Sequence, residues 1–531
     1  MKKSLSLALF VSLISTLGTA SAQQRSLSTQ RSALSTSALT QQSGLSTSPR
    51  KAGEIVLEQA SLTSPETGTL QFDLGTIYVP ENRSDPKSRL IGVGFARFKS
   101  AQPSTAPPTF HLPGGPGSSL VSRLKQSDRG IARVIKYVTL YRQVSDVVFV
   151  DQRGYSERGD ILKHKYRAQG SPLDQPGSLA RFTAAFVDAA RDTVAAYATK
   201  GIDLRGYTVK ECADDVNDVR KALGYERIIP VATSFGSQWS FAIMRRHPQV
   251  VARALLSGVE PLDCGYDMPS HVFAAIRRMW WEAEKDPRLQ PYLPPGGLMA
   301  AAREVLKRLE RQPVRIPGKF KDPKTGEPRD IVVGKEDFQR DVLLRGINGP
   351  AMLLALYYER YELWALQVMS SRMARDVDME LIGPLIDTSL GVTPKREHQL
   401  RTDPATEFLG HWNFDGYLAT AGVWPTQDVG DDFRSEIVNP VPIVFAQGDW
   451  DTSTPIENAL SIAPYFTNSR VIITEHGGHG VLDPIAERLP EVMNLLLEFL
   501  RTGNMEKLPS RVTLPAPQFA MPDFPPPAKT R

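Results

Sequence analysis

Ile228-Ile229-Pro230-Val231-Ala232-Thr233-Ser234-Phe235-Gly236-Ser237-Gln238-Trp239 is the stretch on which the reading of this chain turns. Its first part, Ile228–Thr233, is a continuous apolar run suited to a strand buried on both faces. Its second part opens an amphipathic helix over Ser237–Arg246. A serine between a buried strand and a helix sits on a sharp turn that presents its hydroxyl cleanly, provided the residues two before and two after are small. Gly236 meets that demand. Ala232 departs from the G-x-S-x-G pattern by one methyl. A serine hydroxyl is a poor nucleophile until a base takes its proton, so the segment predicts partners elsewhere in the chain.

Working outward, Thr208–Leu223 has helical periodicity, with Val209, Cys212, Val216, Val219 and Leu223 on one face and Gly224 as a stop. Ala252–Val259 reads as the next strand. Upstream, Ile55–Leu62, Leu70–Val79, Leu90–Phe98, Thr109–Leu112 and Val147–Val150 read as strands. Alternation returns downstream over Pro442–Gln447, Ile456–Tyr465, Arg470–Thr474 and Ile485–Leu500. Strands alternating with helices predict an α/β domain with a mostly parallel central sheet and helices on both faces. Residues 263–425 differ: they are mostly helical and rich in Arg and Trp, with a polar Pro/Gly/Lys segment at 313–330. An inserted helical lid above the carboxyl ends of the strands accounts for them, since ligands bind at those ends.

A base and an acid are expected on loops at the same ends. His479 lies in Glu475-His476-Gly477-Gly478-His479-Gly480, directly after the strand Arg470–Thr474, and is preferred to His476 because it is flanked by glycines further along the loop. Asp451 lies in Gly448-Asp449-Trp450-Asp451-Thr452-Ser453-Thr454-Pro455 and is preferred to Asp449 because it is better placed to reach a neighbouring loop and orient an imidazole. The order Ser234, Asp451, His479 is that of the α/β-hydrolase fold. Acyl transfer also needs two backbone N–H donors for a developing oxyanion. Phe235 would supply one. Gly115, within His111-Leu112-Pro113-Gly114-Gly115-Pro116-Gly117-Ser118-Ser119, would supply the other, because Pro116 has no N–H.

Pro113-Gly114-Gly115-Pro116-Gly117, Asp151-Gln152-Arg153-Gly154, the Ser234 turn, Gly448-x-x-Asp451 and Gly478-His479-Gly480 together resemble the proline iminopeptidase and tripeptidyl aminopeptidase group of α/β-hydrolases. Glu211-Cys212-Ala213-Asp214-Asp215 through Leu223-Gly224 resembles the tripeptidyl branch. The resemblance covers roughly 54–262 and 426–503. It implies cleavage of residues or short peptides from free N-termini, with relatives that hydrolyse esters or other amides. It makes Asp151 and Arg153 structural, pairing beneath the site, and implies lid carboxylates that hold the substrate ammonium. Glu359 and Glu362 are the candidates for these; a helix with solvated charges beside core aromatics is the competing reading.

The remaining features bound the setting. Lys2 and Lys3, the apolar stretch Leu5–Leu17 and Ala20-Ser21-Ala22 have the three parts of an export signal over 1–22, implying a periplasmic or secreted protein. Residues 23–53 read as a disordered Ser/Thr/Gln-rich linker. The parts of the fold are expected at 54–262 and 426–503 (sheet domain), 263–425 (lid) and 504–531 (a Pro-rich tail draped over the surface). Cys212 and Cys264 are the only cysteines and, in an exported protein, are candidates for a disulfide; two buried thiols are the alternative. A net charge of +5, without a dense basic run, gives no reason to expect a nucleic-acid partner. No later run reaches membrane-spanning length. The Gly-rich loop lacks the Lys-Ser/Thr ending of a nucleotide loop, so no cofactor or metal is expected. The expected partner is a small peptide, amide or ester. An aminopeptidase leads; a carboxylesterase with the same triad, and a non-catalytic binding protein on a hydrolase scaffold, remain open.

Overall fold

The computed structural model describes residues 50–321 and 326–528; the expected leader and residues 23–49 of the expected linker lie outside the described residues. A ten-stranded sheet runs through the centre. Its strands are β1 (Ile55–Ser64), β2 (Gly68–Pro80), β3 (Leu90–Phe98), β4 (Thr109–Leu112), β5 (Val147–Val150), β6 (Ile229–Thr233), β7 (Ala254–Ser257), β8 (Ile443–Gly448), β9 (Ser469–Glu475) and β10 (Arg511–Thr513). They lie in the order β1-β2-β3-β5-β4-β6-β7-β8-β9-β10. The first three pairings are antiparallel, and every pairing from β5 onward is parallel. β4, β5 and β7 are buried along their whole length. Such apolar runs suit strands covered on both faces.

Two cores flank the sheet. On one face Val209, Val216 and Val219 of the helix Val209–Ala222 and Trp239, Ala242 and Ile243 of the helix Phe235–Arg246 pack with Phe110, Leu256 and Phe445. On the other, Val134, Ile135 and Val138 pack with Leu496, Leu497 and Phe499 against Val147, Leu255 and Val444. The helix expected over Thr208–Leu223 begins where Thr208 accepts a hydrogen bond from the Glu211 amide.

The insertion has its own core, built around Trp280, Leu298, Leu309, Phe338, Leu353 and Trp364. It is helical, with strands added: Val314–Lys321 pairs with Pro328–Val333 in the stretch expected to be merely polar. A second ribbon, Lys163–Ala168 with Arg375–Glu380, ties residues before the nucleophile to the insertion. The lid therefore draws on chain that the sequence assigns to the sheet domain. The tail is also more than a drape. Arg511–Thr513 extends the sheet beside β9. Phe519 then packs on Trp450, and Phe524 packs on Tyr292 and Tyr358.

The expected bridge between Cys212 and Cys264 is not made: both are buried free thiols. Cys212 is packed into the sheet-side face of its helix, whereas Cys264 lies in the loop after β7, and burial pushes its thiol up to about 12. Arg153 and Asp151 do not pair with each other. Arg153, fully buried, donates two hydrogen bonds to Asp215 at 2.6 and 2.7 Å and two more to the Glu81 and Gly206 carbonyls at 2.6 Å. Asp151 instead accepts the hydroxyls of Ser119 and Ser156 at 2.7 and 3.0 Å. Among the described residues no helix is long and apolar enough to cross a membrane.

Removing one partner of a buried ion pair leaves the other charge uncompensated. Asp215→Ala should therefore lower unfolding stability by about 3–5 kcal/mol in urea titration. A loss below about 1 kcal/mol would show that Glu211, whose carboxylate lies 3.1 Å from Arg153, or water takes over the role.

Candidate active site

β6 ends at Thr233, and Ser234 turns the chain into the helix Phe235–Arg246 with φ +61° and ψ −135°. A positive φ is uncommon for a residue with a side chain and must be held by its surroundings. The Ser234 amide donates to the carbonyls of Ser257 and Gly258 at 3.1 and 3.0 Å, and the Ser237 amide and hydroxyl both donate to the Ser234 carbonyl at 2.7 Å. Ala232 is still within the strand, opposite Leu112 and Leu256, and is buried. Only a small side chain is required there, which explains why alanine can replace the pattern's glycine.

His479 and Asp451 come together as expected. His479 Nδ1 lies 2.9 Å from Asp451 Oδ2, and the carboxylate is only 1% exposed. The amides of Ser453 and Thr454 donate to Asp451 Oδ1 at 2.8 and 2.9 Å, and the Thr454 hydroxyl donates to Oδ2 at 2.8 Å. Burial alone would lower the proton affinity of His479. The charge of Asp451, its hydrogen bond and the more distant Asp267 outweigh burial and raise it above the ordinary 6.5. The ring lies beside the serine turn: a methyl built on Gly258, whose carbonyl holds the Ser234 amide, would meet His479 Cε1 at 2.9 Å. His476 is engaged elsewhere, with Nδ1 at 2.8 Å from the Leu514 carbonyl oxygen and its ring against Trp450. Asp449 does not reach His479; its carbonyl accepts from Arg278.

The Gly-rich loop after β4 lies against the same turn, since a methyl on Gly114 would fall 2.9 Å from Ser234 Cβ and 3.5 Å from its Oγ. Gln152, fully buried, shapes this loop from below. Its Nε2 donates to the Gly114 carbonyl at 2.9 Å, and its Oε1 accepts the Gly117 amide at 2.7 Å. Gly115 lies between these clamped residues. Phe235 is the first residue of its helix, where N–H groups have no intrahelical acceptor. The arrangement brings a hydroxyl, an imidazole held by a carboxylate, and the Gly-rich loop to one turn.

The lid carboxylates chosen from sequence are not part of it. Glu359 and Glu362 are exposed; Glu359 is 69% exposed and pairs with Arg308 at 3.3 Å, and Glu362 opens the helix Glu362–Arg372 on its solvent side. Three other carboxylates are better placed. Glu260 follows β7, Asp267 lies just before the helix Pro269–Ala283, and Asp387 is on the helix Ile382–Leu390. Burial, reinforced by Asp267, Asp387 and Asp451, raises Glu260 well above its ordinary value. Burial pushes Asp267 and Asp387 up to about 7, and Asn458 donates to Asp267 at 2.7 Å. All three keep part of their surface exposed, and none forms an ion pair among the described residues. Glu260 follows an apolar strand as Asp451 does, so the strand-end rule reaches it; Asp267 and Asp387 carry no such signal.

Residues 403–511, which include Asp451 and His479, match the family model described as TAP-like protein. No curated protein matches the chain. Among solved structures it is similar to a proline iminopeptidase from Mycobacterium smegmatis (14% identity over 80% of this chain and 97% of that one, TM-score 0.33). It is similar also to a thermophilic esterase from Thermogutta terrifontis (14%, 80% and 99%, TM-score 0.32). A third is the 2-hydroxy-6-oxo-6-phenylhexa-2,4-dienoate hydrolase of Rhodococcus sp. strain RHA1 (15%, 84% and 100%, TM-score 0.30). The sheet order and the serine turn define the class: this chain has the α/β-hydrolase fold. Within that class, the segment that carries Asp451 and His479 is of the TAP-like type.

An imidazole acts as a base only when neutral, and the folded protein holds His479 above 6.5. The rate of labelling by a fluorophosphonate should therefore fall, as pH is lowered, through a midpoint above 6.5. In Asp451→Asn the midpoint should drop and the rate should fall by about a thousandfold or more. A wild-type midpoint below 6.5 would contradict this.

Proposed function

We propose that this hydrolase is a serine aminopeptidase that works through an acyl-enzyme. Ser234 Oγ bonds to the scissile carbonyl carbon while its proton passes to His479. The Gly115 and Phe235 amides receive the oxyanion. The C–N bond then breaks as His479 returns the proton to the leaving amine, and water repeats the sequence to release the acid. Asp451 keeps the imidazole oriented and stabilises its charged form.

The observation that favours an amine-bearing substrate is the set of Glu260, Asp267 and Asp387, half-buried carboxylates with no cationic side chain paired to them among the described residues. A desolvated anion needs a counter-charge, and the ammonium of a free N-terminus supplies one. Glu260 fits best because its amide donates to the Ser237 hydroxyl at 2.9 Å, within the support of the serine turn.

The test compares aminoacyl anilides with their N-blocked forms and with p-nitrophenyl esters. Free-amine substrates should be preferred, and Ser234→Ala should abolish all turnover. Glu260→Gln should raise KM for the free amines by about tenfold or more while changing ester KM little. Because the carboxylates must be ionised to hold the ammonium, that KM should also rise as pH falls below about 7, where Asp267 and Asp387 take up protons. Equal turnover of N-blocked substrates would favour a carboxylesterase. Absence of fluorophosphonate labelling would favour a non-catalytic scaffold.

The proposal includes export. Lys2-Lys3, Leu5–Leu17 and Ala20-Ser21-Ala22 support it. Mass spectrometry of the protein from an expressing culture should then find Gln23 at the mature N-terminus.

A further inference from the structure

β8 is apolar until its end, where Ile443-Val444-Phe445-Ala446 gives way to Gln447, a fully buried amide in the middle of the sheet. A buried polar group is retained only when its hydrogen bonds are made, and those of Gln447 are unusual in what they connect. Its Nε2 donates to the Thr454 carbonyl at 2.6 Å and to Asp451 Oδ2 at 3.2 Å. Its Oε1 accepts the amide of Val259, on the other side of the β7–β8 pairing, at 2.9 Å. Val259 follows Gly258, whose carbonyl accepts the Ser234 amide at 3.0 Å and whose missing side chain leaves room for the His479 ring. A single side chain thus spans from the acid's loop to the turn that holds the serine and borders the imidazole.

We infer that Gln447 is a positioning residue, the amide that fixes the acid loop against the Gly258–Val259 turn and so keeps Asp451, His479 and Ser234 in register. The role needs a donor at one end and an acceptor at the other. A protonated carboxylic acid offers both, whereas a carboxylate offers only acceptors and places a second negative charge beside Asp451. A thioether offers neither. The titratable groups acting on Asp451 are His479 from the loop after β9 and Glu260 and Asp267 from the segment after β7. His479 already places its Nδ1 2.9 Å from Asp451 Oδ2, and of the groups around the acid only Gln447 links it to the Val259 amide. The inference does not depend on which substrate the enzyme takes.

The experiment measures the rate of fluorophosphonate labelling of Ser234 in wild type, Gln447→Met and Gln447→Glu across pH, with melting recorded for each. Gln447→Met should label at least about tenfold more slowly at every pH, because the Val259 amide loses its acceptor and Asp451 a donor. Gln447→Glu, close in shape, should label near the wild-type rate at low pH. It should then lose ground steadily, its ratio to wild type falling about tenfold between about pH 6 and about pH 9 as the new carboxyl ionises. A merely structural role would lower melting but leave that ratio flat. A flat ratio in folded Gln447→Glu overturns the inference, whether or not Gln447→Met folds. So does a Gln447→Met enzyme that labels within about twofold of wild type.

Discussion

Asp451 is a carboxyl group with almost no exposure, and the site is organised around the hydrogen bonds it accepts. A buried polar group is retained only when donors replace the water it has lost. Here the donors are two amides from its own loop, the Thr454 hydroxyl, the Gln447 amide and the ring of His479. Each also fixes something else. The amides set the shape of the loop before Pro455, and the ring takes its orientation for the serine from this contact. The neighbouring Trp450 leaves the loop in another direction, into the core of the insertion against Phe519. One short loop therefore couples the imidazole to the lid.

The lid is held from several sides. The ribbon Lys163–Ala168 with Arg375–Glu380 ties it to chain ahead of the nucleophile. Arg278 reaches back from the helix Pro269–Ala283 to the Asp449 carbonyl and to Glu457. The tail crosses to Tyr292 and Tyr358 through Phe524. Through Arg278 and Trp450 the insertion and the Asp451 loop are packed as one unit. The carboxylates Glu260, Asp267 and Asp387 come from the boundary between that unit and the sheet.

Much of this was legible in residue order because strand-end loops follow apolar runs, and apolar runs are easy to see. Ser234, Asp451, His479 and the Gly114–Gly115 loop each stand directly after such a run, and β6 to β9 lie where periodicity places them. The lid is less legible. Glu359 and Glu362 are candidates only through the resemblance, and the competing reading describes them: Tyr361 and Trp364 turn inward and leave the acids in water. Facing within a helical insertion depends on what packs over it, which one sequence does not encode locally. Gln152 and Gln447 give no signal of their own because a neutral amide announces no chemistry. Their importance is positional, and a polar residue closing a buried strand was the available clue. The cysteines bracket the motif in sequence, but one faces the sheet core and the other lies in the loop leading to the lid.

The adjacency of β7 and β8 also bears on how the protein becomes active. Ala254–Ser257 pairs with Ile443–Ala446 across the entire insertion, so this contact has a very large sequence separation. Non-local parallel pairing is the slow part of folding, since the loop entropy is lost before the contact rewards it. The serine turn rests on β6, its helix and the residues that end and follow β7, all of them ahead of the insertion. The acid and base arrive only with the last strands. The serine turn and the loops of Asp451 and His479 are therefore brought together only by closure of the sheet across the insertion.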